Sequence, residues 1–348
     1  MRGTGTMKRF AVIALVVLGA SGLASPVRAD DSIGIFETIL ESSLSFDETV
    51  DALQATLDAS DFDLHATHVV RVPEDKHRAK VFVLTSPRYL ESASAESPRT
   101  ISAQILRLAV FTSGDEQKTY VNMANPVAHA MVYYAGSPRY EALIAAAGEV
   151  AKGLRELAAT VPGTAVSIQT EPRRDEKHYN SYNGDGPAKM MAKFRRWQKS
   201  QLLIFDDSAE SFASTVDKVA AALAAGTIAD AEEADGWEVV ARIAPRDDIV
   251  YFGLSNPYAE DKMIGINSRF RKEGKSENSP YPGVDHVAAL PLEVLVVRDG
   301  DKSLVLQYGQ MWRMQLYFWD SGYRAFTANV GVPGKIVRSI EDAVLTDL

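Results

Sequence analysis

The chain has 348 residues, 46% of them hydrophobic, with 37 basic against 46 acidic side chains and no cysteine. That acidic balance argues against nucleic acid or an anionic membrane surface as the main partner, because both demand a basic footprint. The absence of cysteine excludes disulfides, thiolate metal sites, iron–sulfur clusters, covalently attached c-type haem and cysteine nucleophiles.

Residues 1–29 read as a secretory signal peptide. Met7-Lys8-Arg9 precedes an apolar run over 10–18, and the small residues Val27 and Ala29 place cleavage after Ala29. The run is too short to span a bilayer. Cleavage removes Arg2, Lys8, Arg9 and Arg28, leaving 33 basic against 46 acidic residues. The mature chain is expected to be soluble, periplasmic or secreted, and without stable membrane insertion. Its length suits two domains that each bury a core.

Residues 35–40 form a short apolar run followed by Ser45-Phe46-Asp47-Glu48, where Ser45 and Glu48 make a capping box at a helix start. Phe46, Val50, Leu53 and Leu57 then recur at helical spacing, so one face of this helix has to be buried. Alternation and β-branched content predict strands over 64–72 and 81–85, the second ending at Ser86-Pro87. Residues 88–102 read as a loop. Two strands joined at Gly114-Asp115 follow, then the aromatic segment Met131-Val132-Tyr133-Tyr134, read as strand or turn, and a closing helix over 138–159.

The same order returns further along. Residues 202–205 are a strand, Ser211 is a helix cap, and Phe212, Val216, Val219 and Leu223 repeat the first helix's intervals. Strands over 237–243 and 249–255 end at Asn256-Pro257, and a long loop covers 258–289. Paired strands turn at Gly300-Asp301, with Val296 matching Val110, then come the aromatic segment 315–319 and a helix over 323–345. Gly226 to Asp235 reads as an inserted solvated loop. One unit is therefore used twice, over 30–160 and 201–348.

Between the copies, 161–200 reads as a linker, with Pro162, Pro172, Asn183-Gly184 and Pro187. It ends in a basic amphipathic helix that carries Met190, Phe194 and Trp197 on one face and Lys189, Lys193, Arg195, Arg196 and Lys199 on the others. Such a helix can dock on anionic lipid or an acidic partner, but its own acidic domains are the nearer target.

Ser211-Phe212 with Thr215-Val216, Leu254-Ser255-Asn256-Pro257, Leu290-Pro291-Leu292-Glu293-Val294-Leu295-Val296 and Tyr308 are echoed by Ser45-Phe46 with Thr49-Val50 and by Ser86-Pro87. In these residues the chain resembles the bacterial family known as domain of unknown function 302, once per copy. The resemblance implies two similar α+β domains, each an antiparallel sheet with helices packed on it in the order β-α-β-β-loop-β-β-α. Because members of the family often pair, it also implies an intrachain pseudo-dimer with any groove at the seam. The family has no agreed enzymatic activity.

Six histidines bear on the chemistry. His65 and His68 lie three apart on a predicted strand and point to opposite faces, so they cannot share an ion unless the strand carries a bulge. His129 and Met131 with His286, Met311 and Met314 combine imidazole and thioether, which suits copper or axial ligation of haem, although Met among aromatics is also ordinary core filling. Asp285-His286 could orient a general base, but the chain has no Gly-x-Ser-x-Gly elbow and no His-Glu-x-x-His helix, and adjacent residues in a surface loop seldom pair productively.

The expectation is an exported binding or accessory protein without catalytic turnover or cofactor, acting on an unknown small molecule or periplasmic protein, with a homodimer compatible. Its ligand site is placed at Asn256, Tyr258, His286, Tyr308 and Met311, with the first copy structural. The alternative is a haem- or copper-binding redox protein using the His and Met set, and a hydrolase is the second alternative.

Overall fold

The computed structural model describes residues 32–72, 77–113, 117–181, 194–207, 210–228, 236–270, 283–321 and 327–347. The signal peptide, the Gly114-Asp115 turn, the first part of the basic linker helix (189–193) and most of the insertion at 226–235 lie outside them. The described residues belong to one compact unit, Ser32–Leu348.

The first half runs β1 (Phe36–Ser42), α1 (Phe46–Asp58), β2 (Asp63–Val70), β3 (Ala79–Thr85), α2 (Pro87–Ser92), a 3-10 segment (Pro98–Ala103), β4 (Leu106–Ser113), β5 (Lys118–Ala124), α3 (Pro126–Tyr133) and α4 (Tyr140–Ala158). After β6 (Gly163–Gln169), α5 (Glu176–Ser181) and a 3-10 segment (Phe194–Ser200), the second half repeats the order. It runs β7 (Gln201–Asp207), α6 (Phe212–Ala225), β8 (Glu238–Arg246), β9 (Ile249–Ser255), α7 (Pro257–Phe270), a 3-10 segment (Val284–Ala289), β10 (Leu292–Asp299), β11 (Lys302–Tyr308), α8 (Gln310–Tyr317) and α9 (Val332–Asp347).

The sheets repeat as well. One has the order β2-β3-β4-β5-β1-β6 and the other β8-β9-β10-β11-β7, with every pairing antiparallel. Even the irregularities correspond: Ile39 bulges out of register in β1 and Ile204 in β7. The chain is thus an α+β protein of two similar halves forming an intrachain pseudo-dimer. No helix among the described residues is long and apolar enough to cross a membrane.

Local chemistry accounts for the helix starts. Ser45 and Glu48 form the expected capping box, and Ser211 caps α6 through the Ser214 N–H. Both strand-ending Pro residues begin helices, with Pro87 opening α2 behind the Ser86 cap and Pro257 opening α7 behind Asn256. The described parts of the loops expected over 88–102 and 258–289 are therefore largely helical, while 271–282 lie outside the described residues. A proline after a capping side chain suits a first helical turn as well as a bend.

The aromatic segments also differ from expectation, being α3 and α8. Ala128, His129, Ala130, Val132 and Tyr133 are all buried, so α3 shows no polar face and its sequence lacks the period that marks an amphipathic helix. Within the expected linker, β6 pairs with β1 and extends the first sheet.

β1 shows how the layers are built. Phe36 points into the seam, where its ring meets Tyr317 and His286, while Glu37 points the other way to a two-pronged ion pair with Arg155 of α4. Helices α1 and α4 cover the outer side of the first sheet, as α6 and α9 cover the second. At the seam each 3-10 segment lies on the other half's sheet. The exchange is reciprocal: Asn122 of β5 donates to the Asp285 carbonyl at 2.5 Å, and Gln201 of β7 donates to the Arg99 carbonyl at 3.2 Å. Asp285 and Arg99 are the second residues of the matching 3-10 segments.

Candidate functional site

Arg107 in β4 stands opposite Val83, and Glu293 in β10 stands opposite Gly253, the same rung of the two sheets. The internal symmetry brings these rungs face to face, so Arg107 Nη1 donates to Glu293 Oε1 at 3.0 Å. Arg313 of α8 donates to the other carboxylate oxygen and, through Nη2, to the Ala289 carbonyl at 2.5 Å. Arg107 Nη2 also reaches His129 Nε2 at 3.1 Å and Tyr317 Oη at 3.2 Å. Arg107, Glu293 and Arg313 are each 1% exposed. One carboxylate thus serves two buried guanidiniums, and neither Arg107 Nε nor Arg313 Nε has an acceptor.

His129 stays neutral in this setting. Its Nδ1 bonds the Asn125 carbonyl at 2.8 Å, and burial, followed by the neighbouring Arg107 charge, pushes its pKa down to about 3. An unfolded histidine takes a proton at about pH 6.5. Stability owed to neutral His129 is therefore whole above about pH 6.5 and drains away as the pH falls toward 3. His129→Gln is expected to remove on the order of 3 kcal/mol of the stability lost between pH 7 and pH 4. Urea unfolding at both pH values checks this, and equal losses in variant and parent would refute it.

A second buried cluster lies across the Phe36 ring, which meets Tyr317 on one side and His286 on the other. His286 Nδ1 is 2.9 Å from Asp285 Oδ1 and its Nε2 is 3.1 Å from Asp320 Oδ1. The Asp285-His286 pair is therefore not on a surface loop. It sits on a 3-10 segment sealed in the seam, with the imidazole held between two carboxylates.

A third cluster joins β2 to α7. His68 Nε2 lies 2.7 Å from Glu260 Oε1 and 2.9 Å from Ser255 Oγ, while the Arg71 N–H donates to Glu260 Oε2 at 2.7 Å. These are serine, histidine and acid, but Ser255 and Glu260 approach the same ring nitrogen and bond each other. A proton relay needs the acid and the hydroxyl on opposite nitrogens. The expected face separation of His65 and His68 meets a register break in β2 between Leu64 and Ala66, and each imidazole has its own partner, His65 with Thr85 at 2.8 Å.

Among the described residues, a recess reaches the buried charge. It lies among α7, α8 and α9, where Met263, Met314, Phe318, Val332 and Ile336 surround Arg313 and leave a cavity of about 20 Å3. A wider groove of about 490 Å3 crosses the first half near α2 and α4, but its Asp61, Arg88, Glu149 and Lys152 are charges of both signs on solvated helix faces.

The expected ligand-binding residues do not converge on this recess. Asn256 caps α7, accepting from the Ala259 N–H at 3.2 Å and donating to the Gly236 carbonyl at 2.9 Å. Tyr258 is half-buried in the first turn of α7, with the Lys262 ammonium 5.4 Å from its ring. Tyr308 accepts from Gln201 Nε2 at 3.0 Å and stacks on Trp312. His286 is sealed in the seam, and Met311 is half-buried on α8.

Of the alternative metal set, only Met314 lines the recess. Both ring nitrogens of His129 and of His286 are taken by protein groups, and Met131 packs half-buried on α3. Among the described residues no group of three His, Cys, Asp or Glu side chains is arranged to hold a metal ion. Arg313 escaped the sequence reading, although an arginine inside Met-Trp-Arg-Met-Gln-Leu-Tyr is the signal that pointed to it: a charge flanked by large apolar side chains has to find a buried partner.

No family model matches this chain, and no curated protein matches it. Among solved structures, the uncharacterized conserved protein DUF302 from Bacillus stearothermophilus aligns at 16% identity with a TM-score of 0.30, over 36% of this chain and 98% of that one.

Proposed function

We propose that the protein is an exported, non-catalytic binding module made of two tandem copies of one domain of the unknown-function-302 type, with its ligand seat in the recess among α7, α8 and α9. Export rests on the basic, apolar and small-residue order of 1–29. The binding reading rests on one observation: an apolar, methionine-bearing recess opens onto a buried guanidinium, in a protein whose histidines are all engaged or remote from it. Small-molecule seats are concave and mostly apolar, with a few fixed polar groups.

The second copy carries this seat and the first braces it from across the seam. Screening small apolar molecules by thermal denaturation tests the reading. A ligand at a hundred times its Kd is expected to stabilise the fold by about 2.7 kcal/mol, and Val332→Trp, which fills the recess from α9, is expected to abolish the gain. A ligand that stabilises both proteins alike would move the seat elsewhere.

A further inference from the structure

We infer that the outer edge of β7 is the surface on which a second copy of this chain docks, strand against strand around a two-fold axis. The two sheets differ at this edge. In the first, the outer edge of β1 is occupied by β6, which pairs antiparallel with residues between Glu37 and Ser42. In the second, β7 pairs with β11 alone among the described residues. Thr38 and Leu203 hold the same place, each directly before the bulged isoleucine. Thr38 stands opposite Ile168 of β6 and is 1% exposed, whereas Leu203 is 55% exposed. The bulge does not itself exclude a further strand, since β6 pairs with β1 on both sides of one.

An open edge presents unpaired N–H and C=O groups to any chain that can match them, and proteins shield such edges with charge, proline or irregularity. The other three edges are shielded. β8 breaks register twice and carries Pro245, β2 breaks register and is pinned to α7 through His68 and Glu260, and β6 is largely small and polar. Gln201-Leu202-Leu203-Ile204-Phe205 of β7 offers neither charge nor proline. What selects a second copy as the occupant is the charge order along this strand. Lys199 precedes the uncharged run and Asp206-Asp207 ends it, with Lys199 and Asp206 both exposed. An antiparallel mate of the same sequence sets the lysine end against the aspartate end and the apolar run against itself, while a parallel mate sets like charge against like. A two-fold axis produces the antiparallel arrangement, in which both copies use the same patch. Asp206 is already held from β11 by Lys302 at 2.9 Å, so the charge match sets orientation more than affinity.

Sedimentation equilibrium of the full chain between about 1 and 100 μM tests this, and the expected result is a dimer that dissociates on dilution. Leu203→Lys, which brings two ammonium groups together across the axis, is expected to weaken the dimer about tenfold or more while leaving the urea midpoint of a dilute sample unchanged. Val69→Lys, the same change at a residue 68% exposed on the β2 edge, is expected to leave the dimer intact. A dimer that keeps its parent affinity in Leu203→Lys overturns the inference, and so does equal weakening by both variants, which marks the association as unspecific. A monomer at the highest concentration overturns it as well. Slow deuterium exchange of the β7 amides in that monomer would then show the edge covered by the chain's own residues, and fast exchange would leave it to an extended peptide of another protein.

Discussion

Replacing Glu293 with glutamine is expected to destabilise the protein by about 3–5 kcal/mol, the largest loss available from a single polar change. The carboxylate is the sole anion bonded to Arg107 and Arg313 among the described residues, and all three side chains are 1% exposed. Glutamine keeps the shape but leaves two guanidiniums facing each other without a counter-charge in a medium that screens poorly. The cost should fall on both halves together, because the pair ties β4 to β10. One cooperative urea transition shifted to lower midpoint is the expected trace, and a loss below about 1 kcal/mol would show that the centre is solvated or rearranged. The triple variant Arg107→Met, Glu293→Leu, Arg313→Met is expected to recover most of the loss, since well-packed apolar groups of similar volume commonly match a buried ion triad in stability. Failure of the triple variant to fold would mean that the charges specify the seam as well as occupying it.

Trp197→Ala is expected to cost about 3–5 kcal/mol, as for other large-to-small changes in a packed interior. Trp197 belongs to the 3-10 segment Phe194–Ser200, in the stretch where the sequence reads as a basic linker. It is 1% exposed, with its ring 5.3 Å from Tyr133. Phe194 is fully buried beside it, meeting the edge of Trp312 and the Arg174 guanidinium. The apolar face of this segment is thus spent on the protein's own core, while Gln198 and Lys199 are exposed. Were it a loosely resting tether, truncation would change stability by no more than about 0.5 kcal/mol. Guanidinium unfolding followed by tryptophan fluorescence distinguishes the two.

The repeat was legible because its markers are local and stand in the same order twice. Ser45 with Glu48, Ser211 before Phe212, and the Pro residues after Thr85-Ser86 and Ser255-Asn256 each act within about four residues, through hydrogen bonds or ring constraints that need no tertiary partner. The strand Ile249–Ser255 was readable to the residue for the same reason, since an apolar run bounded by a polar turn and a Pro permits little else. The segments at 131–134 and 315–319 were not. Helices α3 and α8 are buried on nearly every side, so their side chains follow no period that separates helix from strand. Similarly, Pro257 read as a turn because what distinguishes a turn from a first helical turn is the packing that follows.

By itself, then, the sequence determined the duplicated order of elements, the α+β class, the apolar helix faces and the want of cysteine chemistry, all of which depend on composition or on neighbours along the chain. Only the tertiary structure decided which polar residues meet. Arg107 and Glu293 occupy corresponding positions in the two copies, and the symmetry that superimposes their sheets is what sets one charge against the other. His286 and Met311 looked like ligand residues because imidazole and thioether are versatile groups, yet versatility says nothing of burial, and the seam had already engaged the imidazole. Arg313 became the candidate through the reverse effect: its charge is ordinary along the chain and becomes consequential only where packing removes the water that would have solvated it.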